Sequence, residues 1–122
     1  NIPSYSLFRQ DNEHVGHTGL AVYIHESVAS FTTRRYDLEV QNVECLWLEV
    51  KTKKLSPLLV GFIYRNPSSL LSDWSDDFIQ LMDNVKNKHV KKNVLLLGDF
   101  NIDLHKSQSA WRSTMLFSAF TS

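Results

Sequence analysis

Asn93-Val94-Leu95-Leu96-Leu97-Gly98-Asp99-Phe100-Asn101-Ile102-Asp103 is the stretch on which the fold turns. Val94 to Leu97 run together without alternation and stop at a glycine, the pattern of a short strand buried on both faces. Asp99 and Asn101 stand two apart at its end, so in an extended chain their side chains leave the same face. A carboxylate and a carboxamide then project together from the end of a core strand, where layered α/β folds place ligand and catalytic groups. The same residues also form turns well, and by composition alone a strand followed by a turn is the simpler account.

Upstream of this stretch, apolar residues fall at Leu71, Trp74, Phe78, Leu81, Met82 and Val85, spacings of three and four that predict one face of a helix. Ser69 or Ser72 can cap it, and Asp73, Asp76 and Asp77 load its positive end. Lys86, Lys88, Lys91 and Lys92 complement the negative end; they read equally as a nucleic-acid patch or as a solvated helix terminus. Before the helix, Leu58 to Tyr64 is a continuous apolar strand, and Val43 to Val50 is a strand with both faces largely apolar; a proline-ended charged loop joins them as an antiparallel hairpin. If the helix is a crossover, strand 58–64 and strand 94–97 are parallel neighbours whose ends share one rim. Tyr64, Arg65, Asp99 and Asn101 then converge.

The first third of the chain reads as a strand at Tyr5 to Phe8, a polar loop from Arg9 to Thr18, and a strand at Leu20 to Ile24. Ser27 to Leu38, with the basic pair Arg34-Arg35, reads as a solvated loop. After residue 108 an amphipathic stretch with Trp111, Met115 and Phe120, capped by Ser109, predicts a second helix. Together these predict a mixed α/β sheet covered by helices.

Composition narrows the function. Among 122 residues, 43% are hydrophobic, enough for one real core. Thirteen basic residues balance thirteen acidic ones, so no overall field draws the chain to nucleic acid or an acidic membrane, and any nucleic-acid contact must be local. A single cysteine, Cys45, excludes an internal disulfide and any all-cysteine metal site. No apolar run approaches membrane-spanning length. The missing initiator methionine and the ending within an apolar segment suggest a piece of something longer.

A phenol, a guanidinium, a carboxylate and an amide on one rim suit the holding of a phosphate diester and the orientation of a water for in-line attack. Here the residues carry a resemblance. Gly98-Asp99-Phe100-Asn101, with a strand ending Tyr64-Arg65 and a helix between, resembles the endonuclease/exonuclease/phosphatase family with the DNase I-like fold. Tyr5 to Asp11, Gly19 to Tyr23, Leu48 to Val50, Gly61 to Arg65 and Leu96 to Asp103 resemble, in order and spacing, the endonuclease domains of non-LTR retrotransposon (reverse transcriptase) polyproteins. That resemblance favours the functional reading of Asp99 and Asn101 over the plain turn. It implies an α/β (α+β) fold, part of a four-layer αββα sandwich with a mixed, mainly antiparallel sheet and covering helices. It also implies Mg2+-dependent phosphodiester hydrolysis, with DNA as partner and a reverse transcriptase domain in the parent protein. The location would be intracellular, and nuclear where that parent is functional. By position, Asp99 matches the aspartate that orients or deprotonates the attacking water. Asn101 matches the asparagine that helps hold the scissile phosphate, Tyr64 the tyrosine that contacts it, and Arg65 offers a donor fork to it.

The departures matter as much. The family's metal-binding glutamate should precede residue 1, and its serine-aspartate-histidine segment should follow residue 122. Residues 1–122 are thus read as a single incomplete domain without a metal ligand of its own. His14, His17, His25, His89 and His105 match no catalytic position and read as surface or structural residues; Glu13, Glu44 and Glu49 do not replace the missing glutamate. Asn12 stands where relatives usually have arginine, His17-Thr18 where they often have glycines, and Asn66 where proline is common. The chain is therefore expected to be part of a DNA endonuclease, inactive or nearly so by itself. The alternatives are a non-catalytic module, derived from a retrotransposon, that binds nucleic acid or protein, and the functionless product of a truncated copy. Open sheet edges are expected to invite self-association.

Overall fold

The computed structural model describes residues 2–12, 18–54, 56–89 and 93–101. Strands β1 (Tyr5–Asn12) and β2 (Thr18–His25) form an antiparallel two-stranded sheet. A one-turn helix α1 (Glu26–Ala29) leads to β3 (Thr32–Arg34) and a 3-10 turn (Tyr36–Leu38). Then come β4 (Glu44–Val50), β5 (Leu58–Tyr64), helix α2 (Leu71–Lys88) and β6 (Asn93–Asp99). The second sheet has the order β3-β4-β5-β6. Its first two pairings are antiparallel and β5–β6 is parallel, so α2 is the crossover that the sequence predicts. No helix among the described residues is long and apolar enough to cross a membrane.

Two apolar clusters hold the layers. On one face of the larger sheet, α2 sets Trp74, Phe78, Leu81, Met82 and Val85 against Leu38, Val43, Cys45, Trp47, Leu59 and Ile63. The helical face predicted from spacing is the buried one. Each such side chain contributes about 1.5–3 kcal/mol on burial, so packing rather than intrinsic propensity accounts for most of the stability of α2. Gly61 faces Trp47 across the β4–β5 pair, and an added Cβ would fall 2.5 Å from the indole; the missing side chain makes room for the ring. On the other face, Leu46, Leu48 and Phe62 meet Phe8, Leu20, Val22 and Ile24 of the hairpin. β4, sandwiched between both layers, is buried along its length, as its doubly apolar pattern predicts. Burial pushes the Cys45 thiol above its ordinary pKa, so it remains a neutral core group.

Four expectations need correction. Arg9 to Asn12 is strand rather than loop, because its backbone pairs with β2 through Asp11 and Gly19, while Arg9 and Asp11 form an ion pair of 3.0 Å on the outer face. Ser27 to Leu38 is not a solvated loop: it contains α1, β3 and a 3-10 turn, and Leu38 is fully buried. Helix α2 starts after Leu70 without a side-chain cap. Ser69 Oγ instead donates to the Asn66 carbonyl, and Ser72 lies inside the helix. Finally, β6 is not buried on both faces. It is the last strand of its sheet among the described residues, and Val94, Leu95 and Leu97 are 42%, 44% and 45% exposed. Leu96 alone of β6 packs against the α2 cluster, and on the opposite face the hairpin residues meet β4 and β5 but not β6 among the described residues. The second predicted helix, with Trp111, Met115 and Phe120, lies outside the described residues.

Candidate active site

Parallel pairing of β5 with β6 brings Tyr64 level with Asp99. The register continues one step further, for the Arg65 N–H donates to the Asp99 carbonyl at 2.8 Å. Beyond the strand the chain turns sharply. The Asp99 Oδ1 accepts the Asn101 N–H at 3.0 Å, and Asn101 adopts φ 51°, a left-handed conformation that asparagine tolerates better than most residues. The turn that composition predicts is thus formed, and because β6 ends at Asp99 the two side chains do not leave one face of an extended strand as the sequence predicts. Asn101 Nδ2 donates to the Arg65 carbonyl at 2.6 Å, tying the turn back to the end of β5. Tyr64, Arg65, Asp99 and Asn101 share one rim.

Their exposures differ. Asp99 and Asn101 are open to solvent, Tyr64 is half-buried, and Arg65 is only 6% exposed. The Arg65 fork points inward. Its NH1 donates to the Asn101 carbonyl at 2.9 Å and to that of Phe100 at 3.4 Å, and its NH2 donates to the Ser69 carbonyl at 2.8 Å. One guanidinium therefore clamps the loop after β5 to the turn after β6, and the planar fork that sequence reasoning assigns to phosphate is occupied by main-chain oxygens. Arg65→Met is expected to lower stability by about 2–3 kcal/mol, because hydrogen bonds from a charged donor are lost and three carbonyls are left short of a partner. Chemical denaturation measures this. An arginine held out for a ligand would change stability by no more than about 0.5 kcal/mol.

Sequence reasoning missed Phe100. Lying between Asp99 and Asn101, it packs edge-on against Trp74 and Phe78, each with ring centroids 5.8 Å away, and so anchors the turn to α2. The signal was an apolar residue set between two polar ones at a strand end. Glu44, which matches no metal-ligand position in the sequence, stands directly opposite Tyr64 on β4, in the same cross-strand row as Asp99. Among the described residues, no three histidine, cysteine, aspartate or glutamate side chains converge as a metal site. One carboxylate does not make a magnesium centre, and the described residues do not fit one by themselves.

The basic pair is engaged elsewhere. Arg34 meets Glu39 through two bonds, Nε–Oε2 at 2.9 Å and NH2–Oε1 at 2.7 Å, stacks 4.4 Å above the Tyr36 ring and reaches the Arg9 carbonyl, so it joins the two sheets. Arg35 grips Asp37 at 2.8 Å and also approaches Glu49 and His89. Each arginine is held above its ordinary pKa by the carboxylate that it bonds, and the Arg35 guanidinium holds the Asp37 carboxyl below the usual range. Glu49, buried on β4, takes both Arg35 and Lys51 as ion partners. Lys88 donates to the Asp37 carbonyl. His25 caps α1, its Nδ1 accepting the Ser27 N–H, and His89 is buried, which makes both structural. Glu13, His14, His17, His105, Lys91 and Lys92 lie outside the described residues.

No protein-family model matches the chain, and no curated protein matches its sequence. Among solved structures, the endonuclease domain of TRAS1, a telomere-specific non-LTR retrotransposon, superposes with a TM-score of 0.71 over 97% of this chain, at 11% sequence identity. The chain has the DNase I-like fold. The expected α+β class, with two sheets and helices, is thereby met. At that identity the likeness speaks for the DNase I-like architecture and not for an activity. The chain spans about half of the matched structure, 53% of its length.

Proposed function

We propose that these residues form the central part of a divalent-metal-dependent DNA endonuclease domain of the retrotransposon type, and that they have at most trace activity alone. The observation that carries this reading is the shared rim: an exposed aspartate, an asparagine and a tyrosine set at the ends of adjacent parallel strands of a DNase I-like fold. Asp99 is the group that orients or deprotonates the attacking water. Its Oδ1 is engaged by the turn and its Oδ2 remains for the water. Asn101 offers the second N–H of its amide to a non-bridging phosphate oxygen while the first holds the Arg65 carbonyl. Tyr64 donates its phenol to the same phosphate. Arg65 acts through Asn101 as a positioning residue. Magnesium would screen the phosphate charge, and its principal carboxylate is not among these residues. Residues 1–122 are then a single incomplete domain, and the parent protein carries a reverse transcriptase.

Nicking of supercoiled plasmid tests the reading, with magnesium or with chelator, comparing the 122-residue chain with the same chain extended by its flanking coding sequence. Magnesium-dependent nicking is expected from the extended chain alone. No nicking from either, together with retained DNA binding, would favour the non-catalytic module. Val94, Leu95 and Leu97, on a strand without a further neighbour among the described residues, further favour pairing with a second copy along β6. Sedimentation should show a dimer of the 122-residue chain that Leu95→Lys dissociates; a purely monomeric species refutes it.

A further inference from the structure

Charge is sorted along the strands. β4 and α2 end, and β5 and β6 begin, at the end of the larger sheet opposite the rim, roughly 20 Å away for strands of this length. Lys51, Lys53 and Lys54 follow β4 there, and Lys86 and Lys88 close α2; all are exposed. The rim end carries Glu44, Asp99 and the exposed Asp73 and Asp76 at the start of α2. A net charge of zero thus conceals a basic and an acidic pole. We propose that the basic pole, together with Phe31, holds a single-stranded nucleic acid by its phosphates and one base. The inference goes beyond the nuclease reading and concerns a surface apart from the rim.

The carboxylates at this end are already engaged. Glu49 meets Lys51 at 3.4 Å and Arg35 at 3.5 Å, and Asp37 holds Arg35 at 2.8 Å. Lys53, Lys54 and Lys86 form no ion pair with a described residue, so their charge faces solvent. A lysine ammonium is a point charge on a flexible stem, which meets phosphates without demanding one geometry or one sequence. The two lysine groups belong to one surface, because buried His89 at the end of α2 lies 3.7 Å from Glu49, two residues before Lys51 on the same face of β4.

Phe31 supplies what a base requires. Its carbonyl accepts the Lys51 N–H at 2.9 Å, which extends the pairing that sets Thr32 opposite Val50. Phe31 and Lys51 therefore stand opposite each other with side chains on one face, their Cβ atoms about 5 Å apart. Phe31 is 46% exposed. An open ring beside ammonium groups is the pairing by which proteins hold single strands: the cations follow the backbone while a base stacks on the ring, whatever its sequence. A duplex offers the lysines its phosphates but keeps its base faces stacked on one another. A free phosphate would leave the ring unused. Nothing in this pairing reads the sugar, so DNA and RNA strands are held alike.

Fluorescence anisotropy tests this with the 122-residue chain and labelled oligothymidylate and oligouridylate of about 15 nucleotides, within the site sizes of single-strand-binding domains. Lys53→Glu combined with Lys54→Glu should weaken both strands by at least about tenfold. It should also lower the slope of log Kd against log salt by roughly 1.4, at about 0.7 for each lost phosphate contact on a single strand. Phe31→Leu, which keeps an apolar side chain, should weaken both strands by about tenfold and leave that slope unchanged. Unchanged affinity in either variant overturns the site. So does a loss in Phe31→Leu that extends equally to a duplex of the same length, or binding to phosphatidylserine vesicles without binding to either strand. A chain that binds neither oligomer overturns it as well. Plasmid nicking by the extended chain is read separately, so the rim reading stands or falls on its own result.

Discussion

Gly98→Ala is expected to lower stability by about 3 kcal/mol or more and to release the rim, since it breaks two rules at once. Gly98 has φ 154°, a conformation that side chains rarely adopt, and a Cβ built there would collide with the Ile63 carbonyl oxygen on β5. Either the Gly98 backbone or the β5–β6 pairing must give. The nearest reporter is the Arg65 amide, which donates to the Asp99 carbonyl one step along the ladder. Native-state hydrogen exchange should show that amide losing protection in the variant while amides in β4 keep theirs, with the denaturation midpoint falling alongside. Unchanged protection and a midpoint shift worth less than about 0.5 kcal/mol would mean that the strands do not approach as closely as described.

Asp99→Asn, made in the extended chain, is expected to reduce plasmid nicking by about a hundred- to ten-thousand-fold, the usual range for a lost general base. Asparagine is the informative replacement. It keeps an oxygen to accept the Asn101 N–H, so the turn survives, and it removes only the carboxylate charge. Alanine would confound chemistry with loss of the turn. Near-wild-type nicking by Asp99→Asn would reduce Asp99 to a turn former, the simpler account that its neighbours allow.

Much of this arrangement is legible in the residues. The 3.6-residue spacing of Trp74, Phe78, Leu81, Met82 and Val85 marks α2, and the doubly apolar run 43–50 marks a strand between two layers. An intervening helix implies parallel strands, and from that alone Tyr64 and Asp99 fall on one rim. What escapes is direction and neighbourhood. Nothing in the type of Arg65 says that its fork turns inward to three carbonyls. Apolar content at Val94 to Leu97 predicts burial, but burial needs a covering layer, and the hairpin stops at β5. Arg9 and Asp11 look like loop residues because strand pairing is a property of two segments, and their partners at Ala21 and Gly19 are remote in the chain. Ser69 has the chemistry of a helix cap, yet its hydroxyl is committed to Asn66.

The crossover through α2 also sets a folding order. The β1–β2 and β4–β5 pairings join neighbours in the chain and can form early, whereas β5 meets β6 only after a long loop has closed. The entropy cost of that closure is offset only as Trp74, Phe78 and Val85 of the intervening helix reach the sheet. The rim is therefore expected to form after either hairpin. Until it forms, strand 93–99 is an unpaired apolar segment without a charge before Asp99, so the interval before α2 docks is when the nascent chain is most exposed to misassembly.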